Sequence, residues 1–239
     1  MEHNIEELRD RFKYLLDRLC ANYGLNIYVG SDFTPEEIEC NWQGYNDAAD
    51  HLGIWTSSGA TKFVIGDDNN DYIIKFSPYT EGYNYCQREV DVYHEAEKEG
   101  LANRFAWCEF LFNYEFAENY SIPVYVMEYC QCSYESISDE VDEYTFQKYR
   151  SDLGLEDSDE TRDRYYSERN YETQSEEMIN WAFSCWGIER GVHEDIVRFM
   201  RSMYINDIHP GNWGWTKNGL VLVDYSGYGE DYCLRSINY

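Results

Sequence analysis

Hydrophobic positions along the chain change their period several times, and each change marks an element. Ile5, Leu8, Phe12, Leu15, Leu16 and Leu19 recur at three- and four-residue spacing with charges between them. That stripe predicts an amphipathic helix packed on the body of the protein. Thr34-Pro35-Glu36-Glu37 supplies a cap, a proline at the first helical position and an acid three residues after the cap. A second helix running to about Ala49 is expected from it. The period then shortens. Leu52 to Trp55, Thr61 to Ile65 and Tyr72 to Phe76 are rich in β-branched and aromatic residues. Thr56-Ser57-Ser58-Gly59-Ala60 and Gly66-Asp67-Asp68-Asn69-Asn70 separate them with turn chemistry, predicting a three-strand meander.

A helix over roughly Gly82 to Gly100 follows, with Cys86, Val90 and Tyr93 on one face, then two strand-like runs, Phe105 to Phe116 and Pro123 to Tyr129. Residues 134–177 carry acids throughout and little apolar patterning beyond Tyr144-Thr145-Phe146. Such a segment reads as a solvated helical insertion or as a docking surface for a basic partner. Helical apolar spacing returns with Trp181, Ala182, Cys185, Trp186 and Ile188, and again with Val192, Ile196, Phe199, Met200 and Met203. The tail predicts a hairpin: Asn212 to Thr216, a turn at Lys217-Asn218-Gly219, then Leu220 to Val223. Trp213 and Trp215 alternate in it, so one face is expected to be buried and both are expected to pack.

A chain of 239 residues suits one substantial domain or two small lobes. With 43% hydrophobic and 18% aromatic residues, it is not a disordered chain. Nineteen basic against 46 acidic residues leave a net charge of -27. That excess repels phosphate backbones and anionic lipid surfaces, which excludes nucleic acid and membrane as direct partners. Basic proteins, divalent cations and ligands of a locally positive pocket remain. The eight cysteines fit no zinc or redox spacing; the close pair Cys130-Gln131-Cys132 lacks the two-residue spacer. Reduced, mostly buried thiols are expected. Met1-Glu2-His3-Asn4 opens no signal peptide, and no apolar run reaches membrane-spanning length, so a soluble cytoplasmic protein is expected.

The candidate chemistry starts at Asp207-Ile208-His209-Pro210-Gly211-Asn212, where Pro and Gly fix a tight loop holding Asp and Asn five positions apart. The hairpin after it ends in Val223-Asp224-Tyr225-Ser226-Gly227, with an acid at the end of an apolar strand. Phosphoryl transfer uses such a set: the first Asp accepts a hydroxyl proton, while the Asn and second Asp give hard oxygen ligands to magnesium. The front half supplies the complement. Thr56-Ser57-Ser58-Gly59-Ala60 is a small-residue turn, Lys75 stands in the apolar run Tyr72-Ile73-Ile74-Lys75-Phe76, and Glu89 lies on the helix that follows. A lysine in such a run is costly without a partner.

In that set and order the sequence resembles the protein-kinase-like superfamily over roughly residues 50–239, and its Asp-x-His-x-x-Asn loop is similar to the aminoglycoside-phosphotransferase branch. The resemblance implies an α+β, two-lobed fold. It implies a helical extension over 1–50, then an N-lobe over 51–129 with a five-stranded antiparallel sheet and the Glu89 helix. A small, mainly helical C-lobe over 130–239 would hold the acidic insertion and, at 205–227, the catalytic loop and hairpin. ATP and Mg²⁺ are the implied cofactors. Ser57, Ser58 and Gly59 would cover the phosphates and Lys75 would touch them, held by Glu89. Asp207 would be the base, Asn212 and Asp224 would bind Mg²⁺, and Glu128 and Cys130, in a hinge, would bond adenine through their backbone. The implied reaction passes the γ-phosphate to a hydroxyl acceptor, a small molecule or a protein. An inactive kinase-shaped module docking a basic protein is the alternative, and the charge alone also admits an acidic mimic of DNA.

The sequence departs from that family in several places. The phosphate turn has one glycine, Gly59, rather than three. Ile205-Asn206 stands where protein kinases carry His-Arg, and Tyr225-Ser226-Gly227 where they carry Phe-Gly. The chain ends at Tyr239, fifteen residues past Asp224, so a truncated second lobe without a peptide platform is expected. The acceptor would then be bound by the acidic insertion, the first two helices or another chain. His209 is expected to orient the loop or a neighbouring aspartate rather than transfer a proton. Tyr225, Tyr228 and Tyr232 are expected to pack.

Overall fold

The computed structural model describes residues 3–23, 49, 51–58, 62–67, 69, 71–77, 84–117, 120–169, 174–188 and 190–227. The helix expected from Thr34 onward lies outside the described residues except for Ala49, as do Gly59, Tyr228 and Tyr232. The chain forms two compact units, Met1–Ala102 with Ala106–Tyr129, and Asn103–Phe105 with Cys130–Tyr239. The fold is α+β: an antiparallel five-stranded sheet with helices, then a mainly helical unit with a two-stranded hairpin.

In the first unit the described elements are α1 (Ile5–Tyr23), β1 (Trp55–Ser58), β2 (Phe63–Gly66), β3 (Tyr72–Phe76), α2 (Tyr85–Lys98), β4 (Cys108–Ala117) and β5 (Tyr120–Glu128). The strand order is β1-β2-β3-β5-β4, with every pairing antiparallel. Period-two alternation sorts the side chains. Ile65, Ile74, Phe76, Val124 and Val126 share one core with Leu8, Phe12, Leu15, Leu16 and Leu19 of α1. Burying those five α1 side chains is worth on the order of 10 kcal/mol, as an upper bound. Polar contacts fix the docking: Arg9 Nε donates to the Leu111 carbonyl at 3.1 Å, and Arg11 bonds Asp67 and Asp71. The alternate positions Lys75 and Tyr125 meet α2, whose N-cap Asn84 and residue Gln87 both bond the Tyr125 hydroxyl.

Several boundaries differ from the sequence expectation, two of them for a physical reason that the pairing shows. Leu52 is helical and β1 starts at Trp55, so Thr56, Ser57 and Ser58 are strand rather than turn. They pair in register with Ile65, Val64 and Phe63, and that ladder overrides the turn preference of serine. Gly66 is likewise a strand residue opposite Trp55, where a Cβ would run into the indole ring. At the other edge β5 begins at Tyr120, ahead of Pro123. Proline is tolerated there because β5 pairs only with β4 at that point; β3 joins from Tyr125 onward.

His94 on α2 couples this helix to the sheet. Its Nδ1 lies 3.0 Å from Glu97 and its Nε2 3.2 Å from Glu109 on β4. Burial alone lowers its pKa, but the bonds to Glu97 and Glu109 outweigh that and hold it above the ordinary histidine value. A raised folded-state pKa gives stability that is complete below the unfolded value of about 6.5 and is lost as pH rises through the folded value. The imidazole is 42% exposed, so solvent screening limits the contribution to less than about 1 kcal/mol. Thermal melts from pH 5.5 to 8.5 should therefore show a small decline that His94→Gln removes.

The second unit contains α3 (Tyr134–Leu153), α4 (Asp159–Glu168), α5 (Gln174–Trp186), α6 (Arg190–Ser202) and the hairpin β6 (Trp213–Thr216) and β7 (Gly219–Leu222). Within 134–177 the described residues are mostly helical, as expected, in α3, α4 and the start of α5, with Ser133 and Ser158 as N-caps of the first two. They are not merely solvated. Ile137, Val141, Phe146 and Tyr165 are buried, an apolar seam invisible locally because one member comes from α4. Trp181 and Trp186 pack around Trp213, while Phe105 meets Phe199 and Tyr225. Trp213 is buried as expected, but Trp215, two positions on and so on the same face, is exposed near the turn rather than packed. Among the described cysteines Cys86, Cys108 and Cys130 are buried, and Cys132 and Cys185 are exposed. No helix among these residues is long and apolar enough to cross a membrane.

Candidate functional site

Lys75 and Glu89 come together in the first unit. Strand parity sends Lys75 to the face opposite Ile74 and Phe76, and helical spacing puts Glu89 on the buried face of α2 with Cys86, Val90 and Tyr93. Lys75 Nζ lies 3.3 and 3.4 Å from the two Glu89 oxygens. Lys75 is 7% exposed and Glu89 1%. A third member was not foreseen: Lys62, also buried, donates to Glu89 Oε1 at 2.8 Å, closer than Lys75. Strand parity finds it only once the register of β2 against β3 is known. Val64 pairs with Lys75, and Lys62 is two residues before Val64, so it falls on the same face of the sheet.

Asp207, Asn212 and Asp224 belong to the second unit. The loop after α6 is pinned by buried Ile205, Ile208 and Pro210, with Asp207 partly exposed among them. Asn212, only 4% exposed, donates its side-chain amide to the Asp207 carbonyl at 2.8 Å. Its own carbonyl accepts from the Val223 amide at 2.9 Å, which ties the residue before Asp224 to this loop. Asp224 Oδ1 accepts from Ser226 Oγ at 3.3 Å. His209 Nδ1 accepts from the Gly211 amide at 3.1 Å, which leaves the proton of a neutral ring on Nε2, 3.7 Å from Asp207. It is placed to orient the loop, as expected of it. Tyr225 is fully buried against Phe105, a packing residue.

Gly227 completes this arrangement. Its φ is +67°, and a Cβ there would run into the Tyr204 carbonyl oxygen, just upstream of Asp207. Gly227→Ala should therefore cost about 2–3 kcal/mol, the left-handed penalty plus a backbone displacement. A denaturant titration would show it as a lower midpoint with an unchanged slope.

The donor set around Asn212 and Asp224 suits a hard cation such as Mg²⁺. Because the Asn212 amide nitrogen is held by Asp207, its Oδ1 is left on the opposite side of the group as an acceptor. Among the described residues no group of three or more His, Cys, Asp and Glu side chains is gathered to hold a metal; the candidate here pairs one carboxylate with one amide. The Glu128 amide donates to the Trp107 carbonyl, and the Cys130 carbonyl accepts from the Cys132 thiol. Ser57 and Ser58 stand on β1 rather than in a turn, as corrected above.

No protein-family model matches this chain, and no curated protein matches it either. Among solved structures the chain is similar to the aminoglycoside phosphotransferase from Alicyclobacillus acidocaldarius subsp. acidocaldarius DSM 446, at 15% identity and a TM-score of 0.30. The match covers 73% of this chain and 63% of that one, so the chain spans less than two thirds of that protein's length. A likeness so distant carries no functional argument, and the reading below rests on the residues.

Proposed function

We propose that the protein is an ATP- and Mg²⁺-dependent phosphotransferase acting on a hydroxyl acceptor, a small molecule or a protein. The observation that carries this reading is the buried ion pair between Lys75 in mid-strand and Glu89 on the helix against it. Burying such a pair costs more than an apolar pair would, so stability alone is a poor reason for it. Lys75 would meet the nucleotide phosphates with Glu89 fixing its position. Asp207 would accept the acceptor's proton, and Asn212 and Asp224 would hold Mg²⁺, which when bound offsets phosphate charge.

Mg·ATP at a hundred times its Kd should raise the melting temperature by about 5–10 °C. ATP labelled at the γ-phosphate should then be turned over by the wild type and not by Asp207→Asn or Asp224→Ala. The net charge of -27 favours one rival, an inactive module that docks a basic protein. It predicts equal, background labelling in all three proteins and salt-sensitive capture of the partner.

A further inference from the structure

Glu89 serves two lysines, and it serves them unequally. Lys62 Nζ lies 2.8 Å from Glu89 Oε1, the length of a charge-assisted hydrogen bond. Lys75 Nζ stands 3.3 and 3.4 Å from the two oxygens, straddling the carboxylate at the long end of the bonding range. The carboxylate itself is held still. Its helix, α2, is fastened to the sheet on both sides of Glu89. The Tyr125 hydroxyl bonds Asn84 and Gln87 at 3.0 and 3.1 Å, and His94 Nε2 reaches Glu109 at 3.2 Å. The Lys75 backbone is fixed too, between its ladder partners Val64 and Tyr125, so only its side chain can move. All three charged groups are buried, a costly arrangement in which a second lysine on one carboxylate calls for a reason of its own.

We infer that Lys62 is a positioning residue: it keeps Glu89 paired and in place, so that the Lys75 ammonium can leave the carboxylate for a nucleotide phosphate. Without Lys62, that move would weaken the pairing of a buried carboxylate, and nucleotide binding would have to meet the cost. With Lys62 present, Glu89 keeps its 2.8 Å donor throughout. The exchange then trades one loose ionic contact for a phosphate contact. Lys62 acts through Glu89 and Lys75 and touches no substrate. The inference rests on the phosphotransfer reading, in which Lys75 meets the phosphates.

Titration calorimetry with Mg·ADP, which carries phosphates but undergoes no transfer, reads the coupling in four proteins: wild type, Lys62→Met, Lys75→Met and the double variant. Lys62→Met is expected to raise the Kd about ten-fold, but less than about two-fold when Lys75 is already Met, because a positioning residue acts only through the group it positions. Lys62→Arg keeps a charged donor for Glu89 and should return the Kd to within about three-fold of the wild type. Lys62→Gln, a neutral donor, replaces Lys62→Met in the cycle if urea melts show that the latter does not fold. A wild type with no affinity for Mg·ADP or Mg·ATP removes the phosphotransfer reading and this inference with it. Where the wild type binds, three results overturn the inference alone. An unchanged Kd in Lys62→Met makes Lys62 a purely structural group. An equal loss with and without Lys75 puts Lys62 itself on the phosphates. Lys62→Arg binding no better than Lys62→Met removes the pairing with Glu89 as the cause.

Discussion

Phosphoryl transfer is expected to fall about 10²–10⁴-fold when Asp207 is replaced by asparagine, the loss of a general base. The fold should tolerate the change. The Asp207 side chain is 27% exposed, and His209 Nε2 lies 3.7 Å away, beyond hydrogen-bond range. The loop is held instead by the Asn212 amide on the Asp207 backbone carbonyl and by buried Ile205 and Ile208, none of which the substitution touches. The melting temperature should thus stay within about 2 °C of the wild type. Single-turnover rates separate the two effects: a variant that binds Mg·ATP normally but transfers no phosphate assigns the base, whereas a full rate removes Asp207 from the chemistry.

The largest stability effect is expected at Glu89. Glu89→Ala removes the carboxylate that Lys62 and Lys75 share and leaves two ammonium groups at 5% and 7% exposure. Breaking a buried pair in this way costs about 3–5 kcal/mol, which urea melts of the variant would read directly. The lysines should differ in kind. Lys62 makes the shorter bond, so Lys62→Met should loosen Glu89 and lower stability, with a secondary effect on catalysis. Lys75→Met should raise the KM for ATP and lower kcat more than it lowers stability. Equal effects of both substitutions on kcat would mean that both ammonium groups serve the phosphates.

What could be read in advance follows from how local each signal is. Lys75 was legible because a lysine inside Tyr72-Ile73-Ile74-Lys75-Phe76 violates its own strand pattern, and Glu89 because a helix with a known apolar face carries it inward. The Asp207 loop was legible through Pro210 and Gly211, and β3 matched its predicted span because four apolar and aromatic residues crowd into five positions. Lys62 was not, since it precedes its strand and its burial depends on the register with β3. Ser57 and Ser58 misled because serine serves turns and strands alike, and the ladder partner Val64-Phe63 decides between them. The seam of Ile137, Val141, Phe146 and Tyr165 escaped because an apolar face shared by two helices leaves no continuous period in either. The register of β5 against β3, set by contacts some fifty positions apart, has no local trace at all.

The docking of α1 has a consequence for synthesis. Its apolar stripe leaves the ribosome well ahead of its partners: Leu111, whose carbonyl Arg9 bonds, lies 102 positions later and the Tyr114 that reaches Asp17 lies 97 positions later. At ordinary elongation rates that is roughly 5–20 s during which Leu8, Phe12 and Leu16 have no sheet to cover them. Nascent chains of this protein should therefore depend on a holdase until β4 and β5 are complete, and refolding of the finished chain should be faster than its maturation during translation.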